Sequence, residues 1–172
     1  MISREAALNI LTESGCNKKV IAHCIAVSDL AKEIAAGIKS QGKDVDIDLV
    51  EIGGLLHDLG RAQSHGIDHA ILGVELAKSY GLEPGIQELI KRHIGAGITR
   101  DEARELHLPD NDYIPVTLEQ KIVAHADNLL VGTERISIEK RIHKMEKKGI
   151  GKGSIDRVKA LAEEIGFIPG KG

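Results

Sequence analysis

Hydrophobic residues recur along most of the chain at the three- and four-residue spacing of an amphipathic α-helix. Residues 17–42 show this spacing behind Asn17, a residue type that caps helix N-termini. Thr117 and Gln120 form a capping box at the start of residues 117–130. The chain contains no convincing alternation of apolar and polar residues and no internal repeat. The pattern therefore predicts an all-α fold, a single compact helical bundle.

The segment "DIDLVEIGGLLHDLG", residues 46–60, is apolar on almost every side. A helix without a polar face belongs in the middle of a bundle, and Asp46 or Asp48 is its expected cap. A charged helical segment near the C-terminus is followed by the break "GIGKGS". This break lacks the spacing of a phosphate-binding loop, so we expect Ser154 to cap the last helix instead.

Composition excludes several classes of function. The chain has 172 residues, enough for one domain with a real core. A net charge of -3 and only 2% aromatic residues argue against a nucleic-acid partner. No apolar run is long enough to span a membrane, and the first ten residues do not resemble a secretory signal, so a cytoplasmic location is predicted. Cys16 and Cys24 are expected to be reduced thiols in apolar sites.

Several histidines and aspartates lie in apolar helical surroundings, where polar side chains are unexpected. They are His23, His57, Asp58, His69, His93, His125 and Asp127. A buried ionised carboxylate is costly unless it is paired or bound to a cation. A divalent metal would satisfy both Asp58 and Asp127 and would use neutral imidazoles as ligands. We therefore predict a metal site to which His57 and Asp58 come from one helix, His23 from a second and Asp127 from a late one.

Each of these residues also has a simpler explanation when it is taken singly. A histidine on an apolar face is usually a packed core residue, and an isolated buried acid often bonds to a helix end. A metal becomes the better explanation for the set, because separate partners would otherwise be needed for every member. His125 is excluded from the ligands because a residue two positions before Asp127 points away from it on a helix. Of the remaining histidines, we expect His65, His107 and His143 to be solvated.

The ordered set His23, His57–Asp58, Asp127 resembles the H…HD…D signature of the HD superfamily of metal-dependent phosphohydrolases. The family's all-α bundle of five or more helices agrees with the helical periodicity. The resemblance spans roughly residues 17–131. It implies one HD domain over residues 1–172, with that span as its core and residues 132–172 as a helical extension.

Two further histidines strengthen the resemblance. "DHAILGVELAK" and "IKRHIGAG" look like the additional histidine positions of HD subfamilies that bind two metals. On this resemblance His69 and His93 complete a six-ligand site with Asp58 as the bridging carboxylate, and His65 is a rival to His69. Arg61 stands where HDxGK-type members have lysine, and its guanidinium suits phosphate binding. Lys91 and Arg92, beside His93, are expected to be solvated helix cations.

The resemblance implies a hydrolase that cleaves a phosphoester or phosphoanhydride, with a nucleotide as the expected substrate. A metal-activated water at a mono- or dinuclear site would perform the cleavage, with Asp58 and Arg61 as the catalytic residues. Histidine and carboxylate ligands suit one or two ions of iron, manganese, nickel, cobalt or zinc. The layout is most similar to small diadenosine-tetraphosphatase-like and uncharacterised members. The alternatives are a non-catalytic sensor that binds a metal or nucleotide and a structural bundle with packed histidines. No oligomeric state is predicted.

Overall fold

The computed structural model describes residues 1–166, which form nine α-helices, one 3₁₀ turn and one short β-hairpin. The helices are α1 (Arg4–Glu13), α2 (Lys18–Ser40), α3 (Ile47–Leu56), α4 (His69–Ser79), α5 (Pro84–Lys91), α6 (Arg100–Glu105), α7 (Leu118–Asn128), α8 (Ile138–Lys147) and α9 (Lys152–Ile165). The predicted all-α class is confirmed. The end of the predicted extension, residues 167–172, lies outside the described residues. Within the described range, no helix is both long enough and apolar enough to cross a bilayer.

The cap residues read from the sequence set the starts of the main helices. The Asn17 side chain accepts hydrogen bonds from two backbone amides in the first turn of α2. Asp46, rather than Asp48, caps α3 by accepting from the Leu49 amide. Thr117 forms the predicted capping box at α7. Each side chain satisfies an N–H group that the first helical turn leaves without a partner.

Helix α3 lies in the middle of the bundle, as its apolar sequence predicts. It packs against α1, α2, α5 and α7, and Leu55 and Leu56 are completely buried. Gly54 permits the close approach of α2, because a Cβ atom there would lie only 3.0 Å from Ser28 Cα. Cys16 and Cys24 are buried free thiols in an apolar cluster to which α1, α3, α4 and α5 contribute, as expected. The central helix therefore ends inside the protein, where its last residues are surrounded by other helices.

The expectation that the chain contains no strand is wrong at one place. Strand β1 (Leu130–Val131) pairs antiparallel with β2 (Glu134–Arg135) directly after α7. Two-residue strands are too short for any alternation of polarity to be visible in the sequence. The turn between them contains Gly132 with φ +58°, a conformation that glycine adopts without strain.

The expectation that Ser154 caps the last helix is also wrong. Helix α9 begins at Lys152 after Gly151, so Ser154 lies inside its first turn. The Ser154 hydroxyl is within 3.3 Å of a Glu102 carboxylate oxygen and donates to it. Helix α9 is part of the main core, because Val158 and Leu161 are buried in the same cluster as apolar residues of α2 and α7.

The 3₁₀ turn, Leu59–Ala62, touches the start of α4 at backbone distance. A Cβ atom on Gly60 would lie 1.8 Å from the His69 carbonyl oxygen and 2.6 Å from the Gly73 nitrogen. Only glycine allows this contact. It brings the segment that follows Asp58 directly against the first turn of α4.

We predict that Gly60→Ala lowers the free energy of unfolding by about 3 kcal/mol or more. Overpacking usually costs about 1–3 kcal/mol, and backbone atoms have less freedom to move away than side chains. Urea unfolding followed by circular dichroism measures the change. Gly153→Ala is the matched control, since its added Cβ would lie no closer than 3.6 Å to its neighbours. Equal unfolding midpoints for the two variants would contradict the prediction.

Candidate metal centre

The structure brings all six predicted ligands to one place. They are His23, His57, Asp58, His69, His93 and Asp127. Three overlapping groups of three residues each have ligand atoms within 4.8 Å of one another. The side chains come from α2, from the end of α3, from the first residue of α4, from the segment after α5 and from α7. Five separate parts of the chain thus share a single cluster of nitrogen and oxygen atoms.

Asp58 lies at the centre of this cluster, with its two oxygens facing different histidines. Its Oδ1 is 3.1 Å from His69 Nε2 and 3.3 Å from His93 Nε2. Its Oδ2 is 3.6 Å from His57 Nε2 and 3.9 Å from His23 Nε2. The two oxygens of this carboxylate therefore lie beside different halves of the histidine cluster.

Asp127 completes the side of the cluster that contains His23. Its Oδ1 is 3.0 Å from His23 Nε2 and 3.7 Å from His57 Nε2. His57 is therefore shared between the two carboxylates, and its side chain is completely buried. The Asp127 side chain retains 24% of its exposure, so this side of the cluster is the one nearer to solvent.

Backbone carbonyls fix the orientation of the four imidazoles. Each Nδ1 donates to a carbonyl oxygen at 2.7 Å; the acceptors for His23, His57, His69 and His93 are Gly132, Gly54, Gly66 and Ile90 respectively. Because a carbonyl only accepts, the proton is on Nδ1 and each Nε2 faces the carboxylates. Metal-binding histidines are usually oriented by a hydrogen bond of this kind.

Two observations show that these residues fit a metal cation. His57 Nε2 is buried and has no hydrogen-bond partner in residues 1–166. His69 Nε2 and His93 Nε2 lie 3.0 Å apart, although both rings already donate through Nδ1. Two lone pairs at this distance repel each other unless a proton or a metal ion lies between them. The imidazole and carboxylate donors suit a divalent transition metal.

The surroundings keep the carboxylates ionised. Burial by itself would raise the pKa of Asp58, but the imidazoles of His57, His69 and His93, in their protonated forms, bring it well below its usual value. Burial lowers the pKa of His57 to about 4, so this ring is neutral near pH 7. Burial also opposes the charge on His23, but the hydrogen bond that its Nε2 donates to Asp127 raises its pKa to about 9. One buried and one partly buried carboxylate beside a neutral ring require a cation, which is either a proton or a metal ion.

Arg61 lies at the edge of the cluster. Its Nε donates to Asp58 Oδ1 at 3.3 Å, and its Nη1 donates to the His65 carbonyl at 2.7 Å. The Arg61 side chain is 28% exposed, so the guanidinium has donors left for a further partner. His65 itself is exposed, and it is His69 that contacts Asp58.

The expectation that Lys91 and Arg92 are solvated cations is wrong. Lys91 Nζ lies 5.8 Å from the centre of the Tyr113 ring, and Arg92 bonds to the Glu88 carboxylate and the Ile114 carbonyl. Both side chains are less than one-fifth exposed. Helix α5 is short and its end packs against the segment that follows α6, so these cations have local partners. His107 and His143 are exposed, as expected.

The carbonyl partners of the imidazoles differ in how visible they are in the sequence. For His57, His69 and His93 the acceptor is the carbonyl three residues earlier, a contact available wherever a helical turn precedes the ring. His23 instead bonds to Gly132, 109 positions away in the hairpin turn. Nothing in the sequence signals this last contact.

A family model described as HD domain matches residues 20–132, more than half of the chain, so the chain belongs to the HD-domain family. The resemblance drawn from the histidine and aspartate signature is thereby confirmed. The uncharacterized protein MJ0778 of Methanocaldococcus jannaschii is 50% identical over 163 residues, which cover 94% of this chain and 95% of that protein.

Other relatives are longer or more distant. The tRNA (cytidine(56)-2'-O)-methyltransferase of Thermoplasma volcanium is 35% identical over 97% of this chain, but this chain spans only 48% of that enzyme. The crystal structure of the L. monocytogenes phosphodiesterase PgpH HD domain in complex with cyclic-di-AMP gives a TM-score of 0.57 at 16% identity, covering 97% of this chain and 99% of that one. At this identity the likeness establishes the fold.

His125 lies outside the cluster, as predicted. It is on α7, two residues before Asp127, and it belongs to none of the three ligand groups among residues 1–166. Only 3% of it is exposed, and burial lowers its pKa to about 4. The folded chain therefore favours the neutral form of the His125 ring.

We predict that His125 makes the folded chain less stable in acid. Between pH 6.5 and 4 the unfolded chain binds a proton at this ring and the folded chain does not, so stability falls as the pH falls. The loss attributable to His125 between pH 7 and pH 5 is about 2 kcal/mol. Urea unfolding of wild type and His125→Asn at both pH values, with a chelator present, measures the difference. His143→Asn, at an exposed position, should retain the full wild-type pH dependence. An identical pH dependence in the His125 variant would exclude the effect.

Proposed function

We propose that this chain is a metal-dependent phosphohydrolase that cleaves a phosphoester or phosphoanhydride of a nucleotide. The observation that supports the proposal best is the position of Asp58. Its oxygens face opposite sides of a cluster of four histidines, all of which have Nδ1 bonded to a carbonyl and Nε2 directed inwards. This arrangement suits two adjacent cations better than it suits a packed core.

The proposed ligands are those that the sequence predicts. They are His23, His57, Asp58, His69, His93 and Asp127. Iron, manganese, nickel, cobalt and zinc all accept this donor set. When bound, such an ion supplies Lewis acidity that activates water and polarises a phosphoryl oxygen.

The chain's own residues have separate tasks in this proposal. Asp58 holds the two halves of the cluster at a fixed separation, and the carbonyl-bonded imidazoles keep their Nε2 atoms aimed without reorganisation. Arg61, which already bonds to Asp58, extends its remaining N–H donors towards a phosphate oxygen. His57 stays neutral because it is buried, so it does not add a competing positive charge.

Support for a nucleotide as the substrate comes from the relatives. The HD domain of the L. monocytogenes phosphodiesterase PgpH, which has the same fold, is in complex with cyclic-di-AMP, a nucleotide. The rival proposal is a sensor that binds a metal or nucleotide without hydrolysis. Arg61 beside the cluster supplies a cation for a phosphate in both proposals, so measured turnover decides between them.

We predict that Asp58→Ala abolishes metal binding and hydrolysis together. Purified wild type should contain up to two equivalents of transition metal by elemental analysis. It should also hydrolyse members of a panel of nucleoside mono-, di- and dinucleotide polyphosphates and cyclic dinucleotides with added manganese or iron. Removing the central carboxylate should reduce both the metal content and the turnover to background.

Asp44→Ala removes an exposed carboxylate before α3 and is the matched control. Unchanged metal content and turnover in the Asp58 variant would refute the hydrolase, whereas metal without turnover in wild type would favour the sensor.

We predict that Arg61→Met weakens the reaction but leaves the metal content intact. A hydrogen bond to a charged group contributes about 1.5–3 kcal/mol, which corresponds to a decrease of about 10- to 100-fold in kcat/KM. Arg61→Lys should recover part of this loss, since lysine keeps the charge without the two-pronged geometry. Steady-state kinetics and elemental analysis on the same preparations test the prediction. A kcat/KM within twofold of wild type in the Met variant would remove Arg61 from the site.

A further inference from the structure

Arg141, in the first turn of α8, bonds to three backbone carbonyls at and just after the end of α7. Its Nε donates to the Asn128 carbonyl at 2.6 Å, and its Nη2 donates to the Asp127 carbonyl at 3.2 Å. The same Nη2 also donates to the carbonyl of Leu130. One guanidinium therefore holds both the last turn of the helix and the first residue of the hairpin.

These carbonyls need a partner. The last four carbonyls of a helix receive no hydrogen bond from an N–H group of the same helix. A cation near the C-terminus is also favoured by the helix dipole. Here α7 ends at Asn128 and the chain turns directly into β1. The Arg141 guanidinium thus links the last turn of the helix to the first strand of the hairpin.

Both of these segments belong to the candidate metal centre. Asp127 is on the last turn of α7, and its Oδ1 is 3.0 Å from His23 Nε2. The hairpin turn contributes the Gly132 carbonyl, which accepts from His23 Nδ1 at 2.7 Å. His23 is therefore held between two groups whose relative position depends on the backbone that Arg141 clamps.

The other half of the cluster does not depend on this clamp. His69 and His93 bond to carbonyls within their own segments, three residues earlier in each case. Asp58 reaches both of them through Oδ1. A disturbance at Arg141 should therefore affect one half of the cluster and spare the other.

We propose that Arg141 is a positioning residue for the His23–Asp127 half of the metal centre. The inference rests on the proposed function, because it requires that the cluster binds metal. It assigns a role to a residue beyond the span 20–132 that the family model matches. Helix α8 would then contribute to the site although it provides no ligand.

Cobalt binding to the full chain tests the inference. Wild type and Arg141→Met are titrated with Co²⁺ and followed by calorimetry and by the visible absorption of the bound ion. Loss of an orienting partner usually weakens metal binding 10- to 100-fold. We expect this decrease for one equivalent of Co²⁺, with a changed absorption band, while the affinity of the other equivalent stays within twofold of wild type.

Controls separate positioning from a general loss of structure. Arg104→Met removes an exposed arginine that bonds to Asp101 and Asp110, and it should bind Co²⁺ like wild type. In Arg141→Ala, guanidinium ions on the order of 10 mM, far below denaturing concentrations, should restore the weakened equivalent. The same ions should restore nothing in His23→Ala.

The outcomes distinguish the two proposals. A wild-type chain that binds no Co²⁺ refutes the proposed function and this inference with it. A wild-type chain that binds Co²⁺ while Arg141→Met gives the same affinities and the same spectrum refutes the role of Arg141 alone. Equal weakening of all bound Co²⁺, or no rescue by guanidinium, also overturns the inference, because it would indicate a structural role without selectivity.

Discussion

The buried negative charge of Asp58 is the constraint on which the rest of this structure depends. An ionised carboxylate inside a protein is tolerated only when positive charge or several hydrogen bonds surround it. Here four imidazoles from separate segments face the two carboxylates, and burial keeps one of those rings, His57, neutral. The bundle therefore brings polar side chains from five separate segments to one interior point.

Packing supports this arrangement in a way that leaves little room for adjustment. The apolar helix α3 is enclosed by its neighbours, and Gly54 and Gly60 allow other backbone segments to approach it and the turn that follows. A well-packed interior transmits small displacements instead of absorbing them. The site is consequently held by elements that also form the core, and the ligand geometry and the stability of the fold cannot be varied independently.

Much of the site was visible in the sequence, for identifiable reasons. His57, Asp58 and Asp127 are polar residues in apolar helical runs, and that contradiction marks them without any structure. The family resemblance favours His69 over His65, and the contact of His69 with Asp58 agrees with it. The β-hairpin, the start of α9 and the partners of Lys91 and Arg92 were not visible. They depend on short segments and on contacts between distant parts of the chain, for which residue types and spacing give no signal.

Some imidazoles bond to a carbonyl three residues earlier, whereas His23 bonds to a carbonyl far away in the sequence. This difference has a consequence for the order in which the site forms during folding. Rings that bond three residues back need only a local turn to orient them, which costs less chain entropy than closing a long loop. The bond between His23 and Gly132 closes a loop of 109 positions, and closing a long loop must be compensated by the rest of the tertiary structure. During refolding, the half of the cluster that contains His69 and His93 would therefore mature early. The half that contains His23 would form only when the whole bundle has folded.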